Sequence, residues 1–161
     1  MSETRNIHAT GLVLDGVGLI VRGPSGAGKS LLALELIDEW EARGRPAKLV
    51  SDDRVDIVVD GETLLMRAPK SIEGLAELRG RGIVSRPFIA EAPLHLVVDL
   101  VDELERMVEE DALETELFGV AVARAPVPRN GVVDARHQML LVREAIRVAG
   151  SPRVHTRQKT T

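Results

Sequence analysis

Eight residues constrain this chain more than any others: Gly23-Pro24-Ser25-Gly26-Ala27-Gly28-Lys29-Ser30 satisfy the whole pattern G-x-x-x-x-G-K-[ST]. An apolar run, Leu19-Ile20-Val21, precedes them. Ala33, Leu36, Ile37 and Trp40 follow at the i, i+3, i+4, i+7 spacing of a helix face, opposed by Glu35, Asp38, Glu39 and Glu41. A strand that enters a glycine-rich loop and leaves as a helix points its backbone N–H groups at one spot, where the positive end of the helix adds its field. Lys29 supplies a point charge there and the Ser30 hydroxyl a ligand for Mg²⁺. Glycine is needed where a Cβ would hold the backbone off a phosphate or forbid the φ angle. The pattern therefore predicts a triphosphate cradle formed by residues 23–30.

The rest of the chain predicts an α/β architecture of the P-loop NTPase type: a mixed sheet with flanking helices and an antiparallel hairpin. Leu12 to Gly18 reads as a strand running into a turn. Gly44 and Pro46 end the first helix, and Ala47 to Val50 reads as the next strand, which completes a strand, loop, helix, strand unit of a mainly parallel core. Val55–Val59 and Thr63–Met66 form two apolar runs joined across Asp60-Gly61, a hairpin signal. The Gly- and Arg-rich stretch Ile72–Arg86 predicts a mobile surface loop. Leu94–Val101 reads as a strand. The stretch Asp102–Glu116, with eight acids against the one base Arg106, reads as an exposed helix or loop. Val120–Ala123 predicts a strand ahead of Pro126 and Pro128, and Asp134 an N-cap for a last helix over Ala135–Ala149. Residues 1–161 make one P-loop kinase domain, with a tail over 150–161 expected to be flexible.

Composition narrows the partners. With no Cys, thiol catalysis, disulfides and cysteine metal sites are excluded. A net charge of −4 and only Trp40, Phe88 and Phe118 as aromatics argue against a nucleic-acid surface, which needs a basic face or stacking rings. No apolar stretch approaches the roughly 20 residues of a membrane span, and the first residues carry no apolar leader. A cytoplasmic protein with no membrane partner is the expectation.

Phosphate binding alone names no reaction, because a carboxylate must also hold the metal or accept a proton. Asp52, Asp53 and Asp99 are the acids at strand ends. Asp52-Asp53 closes the strand after the first helix, at the carboxyl edge where open α/β sheets bind ligands. Asp99 lies within an apolar run and reads as a structural residue. His95, His137 and His155 lack ligand spacing.

Gly23–Ser30, then Leu49-Val50-Ser51-Asp52-Asp53-Arg54-Val55-Asp56, then Glu77-Leu78-Arg79-Gly80-Arg81-Gly82-Ile83 together resemble, in order, the catalytic domain of HPr kinase/phosphorylase over roughly Ile7 to Gly131. The resemblance implies ATP- and Mg²⁺-dependent phosphorylation of a serine of the phosphocarrier HPr, phosphate-dependent removal of that group as pyrophosphate, and a homohexamer. It implies that Asp53, with Asp52 beside it, accepts the serine proton and that Lys29 and Ser30 serve phosphate and metal. Glu77 resembles a second Mg²⁺-linked acid, and Arg79 a phosphate-binding residue of the signature loop. His8 and Arg106 resemble further functional positions. Leu31, where many relatives carry an acid, and Arg81, where an apolar residue is common, depart from the pattern. Pro126–Gly131 matches the dephosphorylation region only loosely, and the N-terminal domain of longer relatives is not seen. Two other readings fit the P-loop equally: a small-molecule kinase with Arg79, Arg81 and Arg86 as its lid, and a non-catalytic nucleotide-gated module.

Overall fold

In the computed structural model, which describes residues 3–150, the chain opens with β1 (Glu3–Ile7), β2 (Thr10–Leu14) and β3 (Val17–Arg22). β2 and β3 form a hairpin over Asp15-Gly16, whose φ angles of 52° and 75° are those a two-residue turn with matching twist requires. α1 (Lys29–Ala42) and β4 (Ala47–Ser51) follow. Then come β5 (Val55–Asp60), β6 (Thr63–Arg67), β7 (Leu75–Leu78), β8 (Gly82–Ser85), β9 (Glu91–Pro93), β10 (Leu96–Val101), β11 (Glu114–Leu117), β12 (Val120–Pro128) and α2 (Ala135–Gly150). The tail expected to be flexible lies, from residue 151 on, outside the described residues.

Three layers result. A six-stranded sheet in the order β11-β12-β10-β3-β2-β4 carries α1 and α2 on one face and a four-stranded sheet, β1-β5-β6-β9, on the other. Alternation within the strands explains the two cores. Leu19 and Val21 of β3 and Val98 of β10 face the helices, where they meet Ala33, Leu36, Ile37 and Trp40 of α1 and Val142 and Ile146 of α2. Ile20 and Val97, one residue out of step, face Ile57, Leu64 and Met66 of the second sheet. Gly18 is required where β3 passes the second sheet: a Cβ there would lie 1.8 Å from the Pro93 carbonyl oxygen. Asp134 caps α2 as its position predicts, accepting the His137 N–H at 2.9 Å.

The sheet is mixed, as expected, but its centre is not a simple parallel unit. β2 lies between β3 and β4 and is antiparallel to both; the parallel neighbour of the P-loop strand is β10. The tight Asp15-Gly16 turn holds β2 against β3, so the chain leaving α1 pairs on the far side of β2. The hairpin β5–β6 is present, but Asp60 pairs with Thr63 and the turn moves one residue on, to Gly61-Glu62.

Three expectations need correction. Ile72–Arg86 is not a mobile loop but holds the antiparallel pair β7–β8: Ala76, Leu78 and Val84 alternate inward onto the core beside α1, while Gly74, Gly80 and Gly82 take the positive φ angles of the bends. Part of the acidic stretch, Glu114–Leu117, is a strand paired with β12. β12 also runs through both prolines, because β11 covers only residues 120–123 and the strand beyond is a free edge, where a missing N–H costs no ladder bond.

Candidate active site

The P-loop joins β3 to α1. Gly26 and Gly28 adopt φ values of 82° and 94°, which side-chain-bearing residues rarely adopt, and Gly28 is the residue that opens α1. No side chain caps this helix. Its first N–H groups, which a helix cannot satisfy internally, are left for oxygens of a ligand. Lys29 is only 8% exposed, and its ammonium donates to the carbonyls of Gly23 at 3.0 Å and Pro24 at 3.3 Å, which folds the loop around one positive charge.

The turn after β4 treats its two carboxylates differently. Asp52, 7% exposed, accepts three hydrogen bonds: from the Ser30 hydroxyl at 2.6 Å and the Thr10 hydroxyl at 2.9 Å on Oδ1, and from the Glu77 N–H at 2.9 Å on Oδ2. Asp53 takes a left-handed φ of 65°. Its N–H donates to Thr10 Oγ1 at 3.3 Å, and its carbonyl accepts the Ala9 N–H at 3.2 Å. An aspartate held at positive φ by contacts on both sides is a strained residue whose orientation the surroundings impose. Its exposed carboxylate lines the same cleft as the P-loop. One acid is thus locked onto Ser30 and the other left open.

The cleft encloses about 420 Å³ between residues 25–31, Asp52, Asp53, Glu77, Leu78, Arg79, Arg129 and Asn130. β7 carries Glu77 to it, with Arg79 in the bend just after, because the Glu77 N–H bond to Asp52 ties that strand to the turn after β4. His8, exposed, stands just before Ala9 and Thr10, the pair that holds Asp53, but does not line the cleft. Arg106 lies on the exposed connection between β10 and β11 and is not brought to the P-loop.

Asp99 has a different fate. Arg22 grips both its oxygens at 2.8 and 2.9 Å, and Arg124 Nε donates to Oδ2 at 2.6 Å. Burial works to raise its pKa, but the hydrogen bonds and charges of Arg22 and Arg124 outweigh that and hold the carboxyl below the usual aspartate range. It does not line the cleft of the phosphate loop, and its lone pairs are taken by the two arginines, as those of a structural residue would be.

The residues fit a nucleotide phosphate with Mg²⁺. The donors are backbone N–H groups and an ammonium; the acceptors near them are the Ser30 hydroxyl and the carboxylates of Asp52, Asp53 and Glu77. Among the described residues, no group of three or more His, Asp or Glu side chains converges as a ready-made metal site. Mg²⁺ keeps several waters and binds through one or two protein groups plus phosphate oxygens.

Sequence reasoning missed Thr10, which bonds Asp52 and receives the Asp53 N–H, and it reached Arg129 and Asn130 only through the loose match of Pro126–Gly131 to the dephosphorylation region, with no role for either residue. A buried hydroxyl at the start of a strand leaves no local pattern; for Arg129, the polar Arg-Asn-Gly after two prolines was the available signal. Among the described residues, no helix is long and apolar enough to cross a membrane.

Comparisons with known proteins give the chain a family. The model of the HPr Serine kinase C-terminal domain family matches residues 1–149. A protein named HPr kinase/phosphorylase from Latilactobacillus sakei is 31% identical over 140 residues, 80% of this chain and 43% of its own length. One of the same name from Geobacillus thermodenitrificans is 40% identical over 109 residues, 65% of this chain and 33% of its own. The chain thus spans less than half the length of these curated relatives. A solved structure described as the Hpr(Ser) kinase/phosphatase from Coxiella burnetii superimposes with a TM-score of 0.71 at 27% identity, covering 91% of this chain and 99% of that one.

Proposed function

Since this chain belongs to the HPr serine kinase C-terminal domain family, we propose that it is a kinase that transfers the γ-phosphoryl group of ATP to a serine of an HPr-type phosphocarrier. With inorganic phosphate as the acceptor, it also removes the phosphoryl group from phosphoserine: phosphate attacks the phosphorus, the serine oxygen leaves and takes a proton, and pyrophosphate is released. The observation that carries this reading is the division of labour at the turn after β4: Asp52 is bonded to Ser30, while Asp53 stands open in the same cleft. A serine hydroxyl is a weak nucleophile at neutral pH, so a fixed carboxylate that takes its proton as the new bond forms lowers the barrier; the same group returns the proton in the reverse direction.

Asp53 is the proton acceptor in this scheme, and Asp52 keeps Ser30 turned toward the metal position. Bound there, Mg²⁺ would neutralise charge on the phosphate oxygens, with Ser30 and Glu77 as its protein-side groups. Lys29 and the N–H groups of residues 26 and 28–30 hold the phosphates, while the Ala27 N–H closes the loop onto the Pro24 carbonyl. Arg79 takes up charge on the transferring group, and Arg129 lines the same cleft. His8 acts next to Asp53, and Arg106 reaches the phosphate only if its loop moves. The protein works in the cytoplasm as a homohexamer, without nucleic acid or membrane.

A small-molecule kinase and a non-catalytic nucleotide-gated module remain the competing readings, and neither has a counterpart among the relatives described above. Incubation with labelled ATP, Mg²⁺ and purified HPr is expected to label HPr. Label on metabolites instead, or ATP uptake without any transfer, would replace the proposal with one of the other two. Phosphate added to phosphorylated HPr should then yield pyrophosphate.

A further inference from the structure

A second cavity opens at the carboxyl edge of the six-stranded sheet, past the ends of β10 and β12. It encloses about 320 Å³, and its walls are mostly apolar: Val101, Leu104, Val108, Pro126, Pro128 and Leu141. The connection between β10 and β11 forms its outer side, and one arginine holds that connection in place. Arg124, which donates from Nε to Asp99 at 2.6 Å, donates onward from Nη1 to the Ala112 carbonyl at 2.8 Å. The cavity is therefore built by the fold itself, and concave apolar space of this size is what small ligands occupy.

The charges around the cavity decide what it can hold. Arg124 is the cation of its lining, and Arg124 is already spent on Asp99 and Ala112. The carboxylates of the lining are Asp102, Glu103 and Glu105, of which only Asp102 has a cationic partner among the described residues. An anion entering here would meet three acids and no free cation, whereas a cation on an apolar body finds a match for both of its parts. Asp102 also links the cavity to the cleft. It accepts Arg129 Nε at 2.8 Å, and Arg129 lines the cleft of the phosphate loop. The backbone of Arg129 is fixed separately, its N–H donating to the Val101 carbonyl at 2.9 Å, so a change at Asp102 reaches the guanidinium and leaves the chain where it is.

We propose that this cavity is a second ligand site, for a small ammonium or guanidinium carried on an apolar body. Its occupant competes with Arg129 for Asp102 and so frees that guanidinium for phosphate oxygens in the cleft. The second step rests on the phosphate reading of the cleft; the first does not. Because Asp102 and Arg129 are 79% and 49% exposed, releasing their pair is worth only about a two- to fivefold gain in affinity for a phosphate ligand. By linkage, that ligand tightens the occupant of the cavity by the same factor.

Phenethylammonium serves as the probe and 3-phenylpropionate, a similar body with the opposite charge, as its control, both titrated into the full chain at constant ionic strength and followed by ligand-observed NMR. The ammonium is expected to bind one to one with a Kd of about 1 mM, and the carboxylate at least about tenfold more weakly. Ala112→Phe fills the cavity and should abolish probe binding. If that variant melts below the parent, Glu103→Gln with Glu105→Gln, both on the exposed connection, should weaken the probe severalfold instead. Calorimetry with pyrophosphate reads the link: saturating probe should tighten pyrophosphate two- to fivefold in the parent. Asp102→Asn should show that tighter value without probe and no response to it. No saturable probe binding, equal binding of the carboxylate, or binding that survives these cavity variants would overturn the site. A pyrophosphate affinity that the bound probe leaves unmoved would overturn the link. If pyrophosphate does not bind the parent at all, the phosphate reading of the cleft falls and the link with it, while the probe titration still decides the cavity.

Discussion

The carboxyl ends of β4 and β10 both bring aspartate close to the P-loop strand, and the two ends use it in opposite ways. At β4 the chain turns sharply, buries Asp52 against Ser30 and Thr10, and leaves Asp53 open at positive φ. At β10, Asp99 stays within the strand and is clasped by Arg22 and Arg124. Asp99 has two cations and little solvent; Asp53 has solvent and, among the described residues, no ion-pair partner. An acid neutralised from both sides holds strands together but cannot readily take a proton, whereas an open, oriented acid can. Strand-end position alone therefore does not identify a catalytic carboxylate; what decides is whether the surroundings consume its lone pairs.

The sharpest way to break this contrast is at Asp53. Asp53→Asn keeps the shape but removes the proton acceptor and is expected to lower kcat for serine phosphorylation by about 10²–10⁴-fold, the usual contribution of a positioned general base. ATP affinity by calorimetry should be unchanged; equal turnover in mutant and parent would remove the role. Lys29→Ala comes next. It deletes a charge-assisted contact to phosphate together with the bonds to Gly23 and Pro24, and should weaken ATP binding by about 10- to 100-fold. An unaltered dissociation constant would show that the phosphates lie elsewhere.

How far the sequence could be read follows the same division between local and remote. The P-loop, α1 and its apolar face were legible because each rests on neighbours within a few residues: glycines at the bends, then a 3.6-residue period ending at Trp40. The place of β2 between β3 and β4 was not, since sheet order is set by pairings between segments far apart in the chain. β7–β8 was hidden by its own composition, because glycine and arginine signal a loop, while the alternation of Ala76, Leu78 and Val84 is too short to stand out. At the site, Asp52-Asp53 was visible as a pair. The split between them depends on Thr10 and Ser30, 42 and 22 residues away.

Asp99 sharpens the contrast through stability. Asp99→Asn leaves two partly buried guanidinium groups around a neutral amide. Loss of a fully buried partner costs about 3–5 kcal/mol, and the partial exposure of this cluster reduces the expectation to about 1–3 kcal/mol. The folded-state pKa lies below the unfolded one, so the stabilisation is complete above the unfolded aspartate value near about 4 and is lost as pH falls through the folded value. Melting curves of parent and variant should differ most at neutral pH and converge in acid. A gap that widens in acid would mean that the arginines do not favour the ionised form. ATP affinity is expected to change less than it does in Lys29→Ala.

The smallest expected effect tests whether the two carboxylates at β4 are set by one hydroxyl. Thr10→Val keeps the volume of the side chain but removes the donor to Asp52 and the acceptor for the Asp53 N–H. Because Asp52 retains Ser30 and the Glu77 N–H, the loss should be about 1 kcal/mol of stability, the ordinary net worth of a hydrogen bond. The more telling readout is the split between binding and turnover. If Thr10 orients Asp53, kcat should fall by up to about tenfold while ATP affinity holds, since the phosphate cradle does not touch Thr10. If affinity falls instead and kcat holds, Thr10 serves the Asp52–Ser30 arm, and the orientation of Asp53 must come from the Ala9 N–H bond to its carbonyl and from the turn itself.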